Sequence, residues 1–73
     1  MMPLVFTKEN EEVEVISIEG GHGVYTRLQE MGILPGTRIR VISNSNGPII
    51  IGLRDSKIAL GRGIGMKIIV RQI

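Results

Sequence analysis

EGGHGVYTRLQEMGILPGT, Glu19 to Thr37, decides how the rest of this 73-residue chain is read. Val24, Leu28 and Met31 fall at i, i+4 and i+7, one face of a 3.6-residue repeat, and predict a helix over about residues 22–31. Arg27, Gln29 and Glu30 lie off that stripe and can stay in water, and Tyr25 also lies off it. Gly32 stands where helices commonly turn left-handed, a conformation that a residue without Cβ enters at no steric cost. Ile33 follows at the position that packs back on the last turn in a Schellman ending. Pro35 presets φ and Gly36 admits positive φ, the pattern of a type II turn. The helix start is weaker, since Gly20, Gly21 and Gly23 offer no side-chain cap. One helix among strands must seat its apolar stripe on the sheet, so this segment sets where the sheet folds over.

On either side the chain alternates short β runs with turn signals. Met1–Phe6 is an apolar lead, suited to an edge strand or to a wrap over a barrel mouth, and Thr7–Glu11 is polar and turn-like. In Val13–Ile18, Val13 and Val15 alternate with Glu12 and Glu14, and then Ile16 and Ile18 change parity. A β-bulge would explain the slip, and so would a partner covering the second face. Thr37–Ser43 is the cleanest strand, with Ile39 and Val41 pointing one way and Arg38 and Arg40 the other. Asn44–Gly47 reads as a loop tolerant of left-handed residues, and Pro48 opens a strand with Ile49, Ile51 and Leu53 inward. Asp55-Ser56 predicts a tight turn into Lys57–Leu60. Gly61, Gly63 and Gly65 break the chain into a short helical turn before a last strand, Lys67–Ile73. Five short strands with one inserted helix, in a single domain over residues 1–73, fit a small, partly open β-barrel. Ile16, Ile50 and Ile69 exceed what a one-sided core needs, and the apolar last strand could pair at an edge into a homo-oligomer.

The chemistry that is missing narrows the function. Without cysteine there are no disulfides, thiolate metal sites or cysteine nucleophiles. His22 is the only histidine, which leaves no Ser–His–acid set and no converging metal ligands. Glu9, Glu11, Glu12 and Glu14 read as a solvated strand face. Neither glycine series matches a phosphate loop or a dinucleotide fingerprint. The expectation is a protein that is not an enzyme and that holds no cofactor or metal. Two aromatics, Phe6 and Tyr25, and a net charge of +2 speak against nucleic acid binding. No apolar run approaches the roughly 18 residues of a membrane helix, and the start lacks the features of a signal peptide. A cytoplasmic protein without direct membrane insertion is therefore expected.

Charge is divided along the chain. Residues 1–31 carry six acids against Lys8 and Arg27, whereas residues 32–73 carry seven bases against Asp55. Two readings follow: the halves pair across the sheet, or a basic face is left for an acidic partner.

Glu19-Gly20-Gly21 and then Arg27 through Thr37, RLQEMGILPGT, resemble the RLxEMGLxPG signature of ferrous iron transport protein A, the FeoA family. Arg38–Ile42, Gly47–Ile49, Ile58–Gly63 and Met66–Val70 fit the segments that follow, so the likeness runs from about Val13 to Val70. Gly21, Leu28, Met31, Gly32, Pro35 and Gly36 carry its structural motif. Two departures stand out: Glu9-Asn10 where many members have Pro-Gly, with Asn10 still suited to a left-handed turn, and Gly65 where alanine is usual, which would loosen that turn. The resemblance implies an SH3-like β-barrel of about five strands with one inserted helix. It implies a small cytoplasmic accessory of bacterial ferrous iron uptake that carries no iron itself. The implied partner is the FeoB transporter, through its cytoplasmic GTP-binding domain, with recruitment to the inner membrane face. Tyr25, Arg38, Arg40 and Arg62 are the candidate partner-binding residues. Metal-dependent repressors end in a similar SH3-like domain, so the alternative is a metal-responsive regulatory domain.

Overall fold

The computed structural model describes all residues, Met1–Ile73. Six strands, β1 (Met2–Pro3), β2 (Glu12–Ile18), β3 (Arg38–Ser43), β4 (Ile49–Leu53), β5 (Ser56–Leu60) and β6 (Ile68–Gln72), form one antiparallel sheet in the order β1-β6-β2-β3-β4-β5. Between β2 and β3 lies the helix α1 (Gly21–Glu30), and between β5 and β6 the short helix α2 (Arg62–Gly65). The strand count exceeds the expected five because the N-terminal lead does two things. Met2–Pro3 pairs with β6 as an edge strand, and Leu4–Phe6 then turns as a 3-10 helix that buries Leu4 and Val5.

The alternation seen in the sequence is the alternation of the core. Fourteen apolar residues are buried together. They include Ile39 and Val41 of β3 and Ile49, Ile51 and Leu53 of β4, the inward sets expected from period 2. The parity slip in β2 is a bulge between Val15 and Ser17 against β6. The Pro-Gly turn docks beside it: Val15 N–H donates to Thr37 O at 2.8 Å, and Gly36 N–H donates to Val15 O at 2.7 Å.

The helix ends as a Schellman motif. Ile33 N–H donates to Leu28 O at 2.8 Å and Gly32 N–H to Gln29 O at 2.9 Å, with Gly32 at φ +87°. Leu28 and Ile33, the two residues such an ending brings together, are both fully buried. Val24 and Met31 pack half-buried on the same core, which completes the predicted stripe. Thr37 N–H then donates to Leu34 O at 2.9 Å with Gly36 at φ +93°, as a type II turn requires.

Three local expectations need correcting. The β4–β5 turn consists of Arg54 and Asp55 rather than Asp55-Ser56, since Leu53 pairs with Ser56 and Arg54 takes φ +55°. A two-residue hairpin favours a left-handed first residue because that backbone matches the strand twist. In the Asn44–Gly47 loop no residue takes positive φ, so hydrogen bonds rather than left-handed residues shape it. Gly65 does not loosen its turn, which is closed by Gly65 N–H to Gly61 O and Met66 N–H to Arg62 O, both at 3.0 Å. The space of an alanine methyl is already filled, because a Cβ there would lie 2.7 Å from Ile49 Cδ1 and 2.8 Å from Val5 Cγ1.

Candidate functional site

Strand alternation puts Arg38 and Arg40 on the outer face of β3, opposite Ile39 and Val41, and both are exposed. The neighbouring strands complete a groove of about 500 Å³. Arg38, Arg40, Arg54 and Lys57 supply its cations, and Glu12 and Asp55 its acids. Gly52 and Ile42 contribute the uncharged surface between them. Arg54 and Lys57 were not singled out by the sequence, because only the register of β4 and β5 brings them beside Arg40.

Charge in this groove is left open. The molecule contains one ion pair, Arg71 Nη2 to Glu14 Oε1 at 2.6 Å, across β6 and β2. Glu14 is also the register neighbour of Arg38, and it turns to Arg71 instead. The four groove cations form no ion pair, although Glu12 and Glu14 are the register neighbours of Arg40 and Arg38. Each reading of the charge division holds in part: Glu14 pairs with Arg71 across the sheet, and the groove cations stay unpaired.

Arg62 behaves differently from Arg38 and Arg40. It is half-buried, and its guanidinium Nη1 donates to Asn44 Oδ1 at 2.9 Å, Ser45 O at 2.6 Å and Gly47 O at 3.2 Å. Nη2 reaches Val5 O at 3.5 Å. Asn44 continues the network, its side-chain amide donating to Thr7 O at 2.6 Å and Val5 O at 3.1 Å. Arg62 thereby ties α2 to the β3–β4 loop and to the N-terminal turn. Tyr25 lies half-buried on α1, away from the groove. Ile16, Ile50 and Ile69 are half-buried.

His22 is exposed in the first turn of α1, with Nε2 3.4 Å from Thr26 Oγ1. No three of its His, Asp and Glu side chains converge on one point. Glu11 is tied at the surface: its carboxylate accepts the Lys8 N–H at 2.5 Å and a hydrogen bond from the Gln72 amide. Those two bonds hold the Glu11 carboxyl below its ordinary pKa. No helix is long and apolar enough to cross a membrane.

A small antiparallel barrel with the helix α1 set between β2 and β3 is the architecture of an SH3-like domain. Residues 2–72 match the FeoA domain, and the chain belongs to the FeoA family. It is 53% identical over 70 residues to a Methanocaldococcus jannaschii chain assigned by inference as Fe(2+) transport protein A, covering 96% of this chain and 85% of that one. The crystal structure of an iron uptake regulatory protein, FeoA, superposes with a TM-score of 0.90 at 35% identity, covering 99% of this chain and 96% of that one. Zinc-complexed FeoA of Stenotrophomonas maltophilia, described as a prokaryotic SH3 domain protein, shares the fold with a TM-score of 0.84 at 19% identity, covering 97% of this chain and 91% of that one. The chain is thus a member of a family of ferrous iron transport accessory proteins.

Proposed function

We propose that this protein is a cytoplasmic, non-enzymatic module that binds the FeoB transporter, through its GTP-binding domain, and modulates its uptake or GTPase cycle. The observation that carries the reading is the unpaired basic face of β3 in a chain of this family. A set of cations without internal partners is suited to an acidic surface on another protein and steers its approach. Arg38 and Arg40 make the contact, Arg62 supports it by holding the adjoining loop, and Tyr25 adds an apolar body with a polar tip on α1. The barrel performs no chemistry of its own, and the transporter recruits it to the inner face of the membrane.

The test is transport by full-length FeoB in proteoliposomes, with ferrous iron uptake and GTP hydrolysis followed as this protein is added. A saturable change of several-fold in either rate is expected. Unchanged rates for both at saturating protein would overturn the modulating role.

A further inference from the structure

Glu12, Arg40, Gly52 and Lys57 stand side by side on four consecutive strands, β2, β3, β4 and β5. Neighbouring strands lie about 4.8 Å apart, so the backbones bearing Arg40 and Lys57 are separated by about 10 Å. Gly52 occupies the place between them and offers no side chain. The outcome is a notch with arginines on the β3 side, Arg54 and Lys57 on the hairpin side, and the Gly52 backbone beside the Ile42 side chain beneath.

The backbone angle does not require a glycine there. Gly52 has no positive φ. A Cβ on it would press on Ile42 Cδ1 at 3.3 Å, which would have to give slightly, and would touch Ile42 Cγ1 at 3.8 Å and Arg40 Cβ at 3.9 Å. Glycine in mid-strand weakens a sheet and marks places where another backbone comes close.

We propose that this notch seats an extended acidic segment of a protein partner, its backbone crossing over Gly52 and its carboxylates held by Arg40 on one side and Lys57 on the other. The identity of the partner rests on the FeoB reading above; the notch and its chemistry do not. Arginine pairs with carboxylates through a planar fork, and Arg40 forms no ion pair with its register neighbour Glu12, which leaves that fork free. A protein strand fits better than a nucleic acid. No aromatic side chain lines the groove for base stacking.

The test uses the whole chain, isotopically labelled, and three probes: a peptide of alternating glutamate and glycine, its glutamine counterpart, and oligothymidylate. The glutamate peptide should shift the amides of Arg40, Gly52 and Lys57 saturably, with affinity falling as salt is raised from about 50 to about 300 mM, and the glutamine peptide should not. Joint replacement Arg40→Gln and Lys57→Gln should weaken binding about tenfold. Gly52→Val keeps every charge but fills the notch, and it should weaken binding about as much, with the fold of the variant confirmed by its amide spectrum. Unchanged affinity in Gly52→Val would show a diffuse attraction and overturn the proposal, as would shifts scattered outside the groove or tighter binding of oligothymidylate at the same residues. Full-length FeoB separates the two readings. If it binds wild type and the doubly neutralised variant equally, the notch is overturned and the partner stands. If it binds neither while the glutamate peptide titrates the notch, the partner falls and the notch stands.

Discussion

Gly32 shows how much one backbone angle settles. At φ +87° it holds the C-terminus of α1 open so that Ile33 can return to the core beside Leu28. A side chain there is strained whatever the space, and its Cβ would also sit 3.3 Å from Leu53 Cδ2. Gly32→Val should cost about 1–3 kcal/mol of stability, read by urea unfolding. An unchanged midpoint would mean the helix ending is misassigned. Glu11 supplies a second residue-scale test. Its folded pKa lies below the unfolded one, so it stabilises the fold at pH values above the ordinary glutamate pKa of about 4.3. That stabilisation drains as pH falls through this value toward the depressed one. Glu11→Gln should therefore flatten the decline of stability below about pH 5, and parallel profiles for mutant and wild type would contradict the assignment. Positions such as Gly32, Gly36 and Asn10, at φ +70°, were legible in the sequence because few residue types accept positive φ. Arg54, at φ +55°, was not: its conformation is imposed by closing a two-residue hairpin, and arginine carries no signal for it.

At the scale of elements, period explains what could be read. β3 and β4 alternate cleanly because one face of each meets the core, and β2 betrays its bulge by changing parity where the helix-to-strand turn docks. The N-terminal segment was ambiguous because its strand is two residues long and its turn is held from a distance. That hold is Arg62, whose bonds to Asn44, Ser45 and Val5 join residues 18, 17 and 57 positions away in sequence. Partners this remote leave no local pattern. Arg62→Ala should lower stability by about 1–3 kcal/mol, the usual range for losing hydrogen bonds to a charged group, and should speed amide exchange in Val5–Thr7. Exchange at those amides as slow as in the wild type would show that the N-terminal turn is anchored without it.

For the molecule as a whole, the sequence announced an uneven charge distribution but not its consequence. Composition places seven bases in residues 32–73; only folding shows that a single pair, Arg71 with Glu14, is made and that four cations are left around a glycine gap. Barrel closure is what converts strands far apart in the chain into one outer surface, and register, which the sequence specifies only through its inward face, sets who stands beside whom. The same reasoning separates structural from functional arginines: Arg62 is consumed within the fold, while Arg38 and Arg40 face outward unpaired.

The measurement that tests the central claim most directly is an amide-shift titration of the labelled protein with full-length FeoB in lipid nanodiscs, with and without GTP. The account predicts saturable perturbation centred on Arg38 and Arg40 of β3 and spreading to β4 and β5, with the Arg62 network undisturbed. No perturbation at any residue, at protein concentrations that saturate the uptake assay, would contradict it.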